Sequence, residues 1–273
     1  MDQAKVRLFL DKLPWKGGLI LAGGLLFLGW FFTTPPGLLG KADAIGYAVC
    51  HRIDSRSFHI GNRQLPLCVR CSGMYIGGML GLVYQGILRR RRMGAPPLRV
   101  IAFLALLGFA FGFDGINSYL HLFPNAPGLY EPQNWLRLLT GTGMGLVIAA
   151  AIYPAFNQTV WVDSDPRPAL ASLRSFGGLL LLALLLDLLI LTDSWLVLYP
   201  LALVSSAGVI ILLVMVYSMV LLMVFRQENR FSKWRQLFFP LMGGFFIALL
   251  QISALDFVRF WLTKTWGGFP IFH

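Results

Sequence analysis

Residues 68–92 read CVRCSGMYIGGMLGLVYQGILRRRR, and this stretch decides the fold. From Cys68 to Leu88 it carries a single charge, Arg70. An apolar run of about twenty residues is long enough to cross the hydrocarbon core of a bilayer as a helix. Four consecutive arginines, Arg89 to Arg92, then close it. Positive charge abutting a span resists translocation and marks its cytoplasmic end. The opposite end opens on Cys68 and Cys71, just after Pro66.

The rest of the chain follows the same pattern. Of 273 residues, 57% are hydrophobic and only 13% charged, with a mean hydropathy of +0.69. A soluble globular domain has nearly twice that charged share. The expected fold is all-α, a polytopic membrane helix bundle of about seven spans. They fall near 17–32, 68–88, 100–120, 135–153, 176–191, 195–225 and 237–260. The sixth is overlong, which allows tilt or a kink near Pro200. The expected organisation is a four-helix membrane domain over 1–155, a cytoplasmic connector over 156–175 and a three-helix scaffold over 176–273. Proline and small polar residues mark the connector.

Charge sets the expected topology. Lys5, Arg7, Lys12 and Lys16 precede the first span, and Arg89–Arg92 with Arg99 follow the second. Arg167 and Arg174 lie in the connector; Arg226, Arg230, Lys233 and Arg235 follow the sixth span. These are fifteen of the 23 basic residues, all between alternate spans. The amino terminus is therefore expected in the cytoplasm, and the carboxyl terminus and the loop 41–64 outside. The expected location is a prokaryotic plasma or inner membrane, with the bilayer itself as the first partner. Topology accounts for the net charge of +11, so nucleic acid is not an expected partner. Ala42-Asp43-Ala44 imitates a signal cleavage site, but it lies well past Pro35-Pro36. The first span is thus read as a retained helix.

All three cysteines fall within 22 residues, Cys50, Cys68 and Cys71, and His51 adjoins the first. Thiols at a helix amino terminus are held toward the thiolate, which binds metal and attacks disulfides. An odd number of cysteines leaves one unpaired in any disulfide scheme. Three sulfurs and one imidazole make a closed tetrahedral set for zinc. Cys50, His51, Cys68 and Cys71 are therefore the expected metal ligands, with His59 as the rival imidazole and His121 in reserve; His273 is terminal. Ser72 follows Cys71 where haem attachment would need histidine. The alternative is a membrane thiol–disulfide oxidoreductase in which Cys68 and Cys71 exchange electrons with a quinone among Tyr75, Phe109, Phe111 and Phe113.

Polar residues converge on the same membrane level. Asp114 lies near the outer end of the third span; Asn134 and Arg137 open the fourth. Charges inside a span are costly and are normally paired or line a wet cavity, and Asp114 with Arg137 is the expected pair. These three are the candidates for any catalytic role. Arg52, Arg56, Arg70, Asn134 and Arg137 together suit an anionic lipid or small anion. Asp256 and Arg259 are spaced for an i, i+3 ion pair, while Asp187 stands alone among leucines. Gly73, Gly77 and Gly81, facing Gly141 and Gly145, have the small-residue spacing that lets membrane helices approach closely.

Around these residues the chain resembles an uncharacterised prokaryotic family of integral membrane proteins. The resemblance lies in Cys50-His51, Arg56-Ser57-Phe58, and Leu65-Pro66-Leu67-Cys68-Val69-Arg70-Cys71 running on to Gly73 and Tyr75. Asp114-Gly115 and the set Asn134, Arg137 and Gly141 extend it over roughly residues 45–150. It implies where the site is, favours His51 over His59, and implies no reaction. The leading expectation is a zinc-type Cys/His site bracing an arginine-rich anion pocket, used in transport or membrane-bound catalysis. The dithiol enzyme and a non-catalytic accessory subunit are the other readings.

Overall fold

The computed structural model describes residues 15–123 and 128–267. Lys5, Arg7, Lys12, His273 and the side chain of Lys16 lie outside what is described. Eight α-helices are found among the described residues: α1 Trp15–Thr33, α2 Gly37–Val49, α3 Val69–Leu88, α4 Leu98–Leu120, α5 Asn134–Val160, α6 Leu173–Ile190, α7 Trp195–Val224 and α8 Phe238–Thr263. Short strands fill two turns, β1 His59–Ile60 with β2 Arg63–Gln64, and β3 Arg92–Gly94 with β4 Asp165–Pro168. Six helices among the described residues are long and apolar enough to cross a membrane, or seven where the bent pair α1–α2 counts as one span.

Helix α2 corrects the expectation of a loop over 41–64. The chain breaks at Pro35-Pro36-Gly37, turns by 107° and re-enters helix. Proline suits the residues before a helix, and Gly37 takes a positive φ of 80° that other residues avoid. Lys41 and Asp43 are accommodated in this helix by partners outside it. Lys41 reaches back to the Thr34 carbonyl at 3.1 Å, and Asp43 turns to Arg52 and Arg63. The connector is also shorter than expected. Helix α5 carries Pro154 within it and runs to Val160 before β4 joins β3 in parallel. Pro200 likewise lies inside α7.

The bundle has two polar ends. At one, Arg91 pairs with Asp163, stacks 4.2 Å over Trp161 and donates to the Ser232 carbonyl. The expected basic loops thus meet one another. At the other end, Arg70 and Arg56 bond to the last turns of α4, and Tyr47 bonds to Thr263 at the end of α8. The cysteine loop belongs to this second end.

Two packing modes hold the ends apart. Helices α3 and α5 touch through backbone: a methyl on Gly77 would stand 2.5 Å from the Thr142 carbonyl oxygen, and one on Gly145 2.3 Å from that of Met74. Elsewhere side chains fill the space. Trp30, Ala44, Cys50, Cys68, Val209, Leu249 and Ile252 form one buried cluster that draws on α1, α2, α7 and α8 together.

Candidate metal centre and arginine cluster

Cys50 caps the carboxyl end of α2, and Cys68 caps the amino end of α3 with Cys71 in its first turn. The helix that follows the Pro35-Pro36 break therefore ends where α3 begins. The three sulfurs lie within 4.8 Å of one another, and no disulfide joins them. Cys50 and Cys68 are buried and Cys71 is half-buried. The Cys68 backbone N–H donates to Cys50 Sγ at 3.3 Å. The thiols of Cys68 and then Cys71 also donate to that sulfur, holding Cys50 well below the ordinary thiol range.

The loop is pinned from afar. Arg259, from α8, donates to the carbonyls of Tyr47, Cys50 and His51, and its guanidinium lies 4.0 Å above the Tyr47 ring. A cation suits the carbonyl end of a helix. The spacing of Asp256 and Arg259 predicts an ion pair; their charges act on each other, but the described bonds of Arg259 go to these carbonyls, and Asp256 accepts from Trp30 Nε1 at 3.3 Å. Arg52 adopts a left-handed backbone with φ 51°, uncommon for a residue with a Cβ. Its side chain is spent on Asp43 Oδ1 at 3.0 Å and on the Trp266 carbonyl at 3.1 Å.

The histidines separate clearly. His51 Nδ1 accepts from the Ile53 backbone N–H at 3.1 Å, and His51 is not one of the clustered ligands. Burial, the largest influence, holds it below its ordinary value despite the neighbouring Cys50. It is therefore neutral at pH 7. His59 faces Asp54 at 2.9 Å and His121 faces the Asn117 carbonyl at 2.9 Å. Three of the four expected ligands come together; the imidazole stands beside them.

Asp114 is fully buried, and its partner is Arg70, not Arg137. The reason is reach: Arg70 starts from the first turn of α3, and its guanidinium also meets Ser118 Oγ at 2.7 Å. Thr140 Oγ1 adds a 3.3 Å bond to Asp114 Oδ2, and the Tyr130 hydroxyl a 2.7 Å bond to Oδ1. Both carboxylate oxygens are thereby used. Asn117 holds the 128–130 turn in place by bonding the Leu129 N–H and Tyr130 carbonyl, each at 2.8 Å. Burial, then the bond to Asp114, pushes the Tyr130 phenol up to about 12, so it stays a donor. Sequence reasoning missed Tyr130, Thr140, Ser118 and Asn117; none carries a charge to mark it.

Arg137 is 7% exposed and donates to Asn134 Oδ1 at 2.7 Å. Asn134 in turn reaches the Ser55 carbonyl at 3.5 Å. Arg56 donates to the Ser118 carbonyl at 2.9 Å. The charges of Arg56, Arg70 and Arg137 act on one another and on His51, which adjoins Cys50. The thiols and the guanidiniums are thus neighbours.

Residues 50–151 match the model of a family described as Predicted membrane protein (DUF2085). An uncharacterized protein of Methanocaldococcus jannaschii is 27% identical over 118 residues, 43% of this chain and 70% of its own length. An uncharacterized protein of Methanothermobacter thermautotrophicus is 27% identical over 106 residues, 38% of this chain and 86% of its own. No solved structure matches. The segment that gathers the cysteines, Asp114 and Arg137 is thus similar to an uncharacterised family of predicted membrane proteins with archaeal relatives.

Proposed function

We propose that Cys50, Cys68 and Cys71 hold a thiophilic metal ion, zinc first, on the outer face of a multi-pass cell-membrane protein. The ion braces an arginine-rich pocket for an anionic head group or small anion, in the service of transport or membrane-bound catalysis. The observation that supports this is the approach of three uncrosslinked sulfurs to within 4.8 Å. Zinc–sulfur bonds of about 2.3 Å in a tetrahedron require sulfurs about 3.8 Å apart, so the thiols need to close by about 1 Å at most. The Cys68 N–H aimed at Cys50 Sγ supports a thiolate there.

Three cysteines leave one coordination position, as metal sites that act on a substrate do. His51, next to Cys50, occupies that position on a ring turn that releases Ile53 N–H, or else leaves it to water or the anion. Cytoplasmic placement of the basic loops puts the cysteine end outside.

Elemental analysis of the purified protein with a free-thiol count tests the reading. The expected result is one zinc per chain with no disulfide. Cys68→Ser should lose the metal, and a chelator should lower the thermal stability of the wild type but not of this variant. His51→Ala should keep the metal if the three thiols suffice. Absence of metal together with a reducible Cys68–Cys71 bond would defeat the proposal in favour of the dithiol oxidoreductase.

A further inference from the structure

The guanidiniums of Arg56 and Arg70 both bond to Ser118, that of Arg137 reaches the Ser55 carbonyl through Asn134, and the carboxylate set against them is Asp114. Asp114 is saturated by Arg70, Thr140 and Tyr130. Neither Arg56 nor Arg137 forms an ion pair among the described residues. Their described bonds go to neutral oxygens, the Ser118 carbonyl and Asn134 Oδ1. Arg70 Nε is buried and meets no acceptor among the described residues. A guanidinium as buried as Arg137, 7% exposed, normally has its charge matched. Even three thiolates around a divalent ion supply only one net negative charge next door.

We infer that Arg56, Arg70 and Arg137 together bind a phosphate-type oxyanion. The inference rests on the anion half of the reading above and names its chemistry and its residues. Chloride offers no directional acceptors, and a carboxylate has two oxygens, enough to bridge two guanidiniums as Asp43 bridges Arg52 and Arg63 but not three. A tetrahedral phosphate presents enough oxygens for several planar forks at once. Arg70, fixed by Asp114 and Ser118, sets the position; Arg137 and Arg56 supply the uncommitted donors. Arg52 is not part of this group, since it turns away to Asp43 on α2 and to the Trp266 carbonyl. The phosphate belongs either to a lipid or to a free solute. Exposed Ile116, Tyr119, Trp135 and Leu139 on the flanking helices suit acyl chains beside the site.

The test uses the full chain purified with its native metal content. Binding is measured for inorganic phosphate by calorimetry, and for phosphatidic acid against phosphatidylcholine in nanodiscs by native mass spectrometry. Acetate and chloride serve as competing anions. Phosphate or phosphatidic acid should bind, and Arg137→Gln should weaken binding about tenfold or more while keeping wild-type metal content. Arg56→Gln should do the same and serves where the first variant fails to fold. The exposed Arg167→Gln should bind as wild type does. Preference for phosphatidic acid over inorganic phosphate identifies a lipid ligand; the converse identifies a solute. Binding of acetate or chloride without either phosphate would overturn the phosphate assignment and leave the anion pocket standing. No anion binding at all would overturn both. Unchanged phosphate affinity in Arg137→Gln and Arg56→Gln would place any phosphate elsewhere and overturn the inference.

Discussion

Two buried carboxylates, Asp114 on α4 and Asp187 on α6, sit at similar exposure in unlike surroundings. Asp114 meets a guanidinium, a phenol and a threonine hydroxyl, from three different segments. Asp187 accepts one described bond, from Thr142 Oγ1 at 2.7 Å, among leucines. The helices around them also pack differently. Around the site, α3 and α5 lock backbone to backbone. Helix α6 instead presents Leu179, Ala183 and Ile190 to its neighbours. Polar bonds converge on Asp114 from three segments, whereas Asp187 relies on one hydroxyl and apolar neighbours.

The largest test of that contrast is Asp114→Asn against Asp187→Asn. The first strands Arg70 in a buried site and should cost about 3–5 kcal/mol. The second keeps a hydrogen bond to Thr142 and should cost less than about 1 kcal/mol. Unfolding in mild detergent followed by circular dichroism measures both. Asp114→Asn combined with Arg70→Gln should regain much of the loss. Equal effects of the two single changes would erase the distinction.

A smaller effect is expected from glycine. Gly145→Ala would push a methyl to 2.3 Å from the Met74 carbonyl oxygen and 2.5 Å from Gly78 N, so α3 and α5 must part. About 1–3 kcal/mol should be lost. Gly112→Ala on α4 meets nothing within 4 Å and should be neutral or gain slightly through helix propensity. Melting temperatures of the two variants in one detergent decide the matter.

The smallest effect belongs to the far end. Arg167 is exposed and pairs with Asp165 at 2.9 Å. Exposed pairs of this kind contribute little, so Arg167→Gln should leave the melting temperature within error. The bonds to Arg167 hold Asp165 down to about 2. A depressed carboxylate contributes above its unfolded value, near 4, and loses that contribution as pH falls toward 2. Neutral pH is therefore the condition that shows this pair at its strongest.

Much of the site was legible because its residues are rare in this chain. Cys50, Cys68 and Cys71 stand out in any membrane protein, and their clustering follows from one loop and one helix start. The pairing of Asp114 was not legible. Residue spacing places Asp114 and Arg137 at one level, but only helix rotation brings Arg70 to the carboxylate first. Arg259 was likewise misread, because a local i, i+3 spacing hid its reach across more than two hundred residues to the Cys50 carbonyl.

By itself the sequence determined the long spanning helices, though not the helix Gly37–Val49 or the full length of α5. Twenty apolar residues must form helix in lipid, since every backbone polar group has to be satisfied within the segment. The arginine run Arg89–Arg92 stops α3 and Pro35-Pro36 breaks the chain after α1, while the small-residue spacing of Gly73, Gly77, Gly81, Gly141 and Gly145 suits close approach of α3 and α5. Only the tertiary structure decided what each charge faces. The side-chain partner of Arg70, Arg137 or Arg259 depends on the rotation and tilt of packed helices. Those are set by many weak contacts summed over α1 to α8, and no short stretch of sequence contains them.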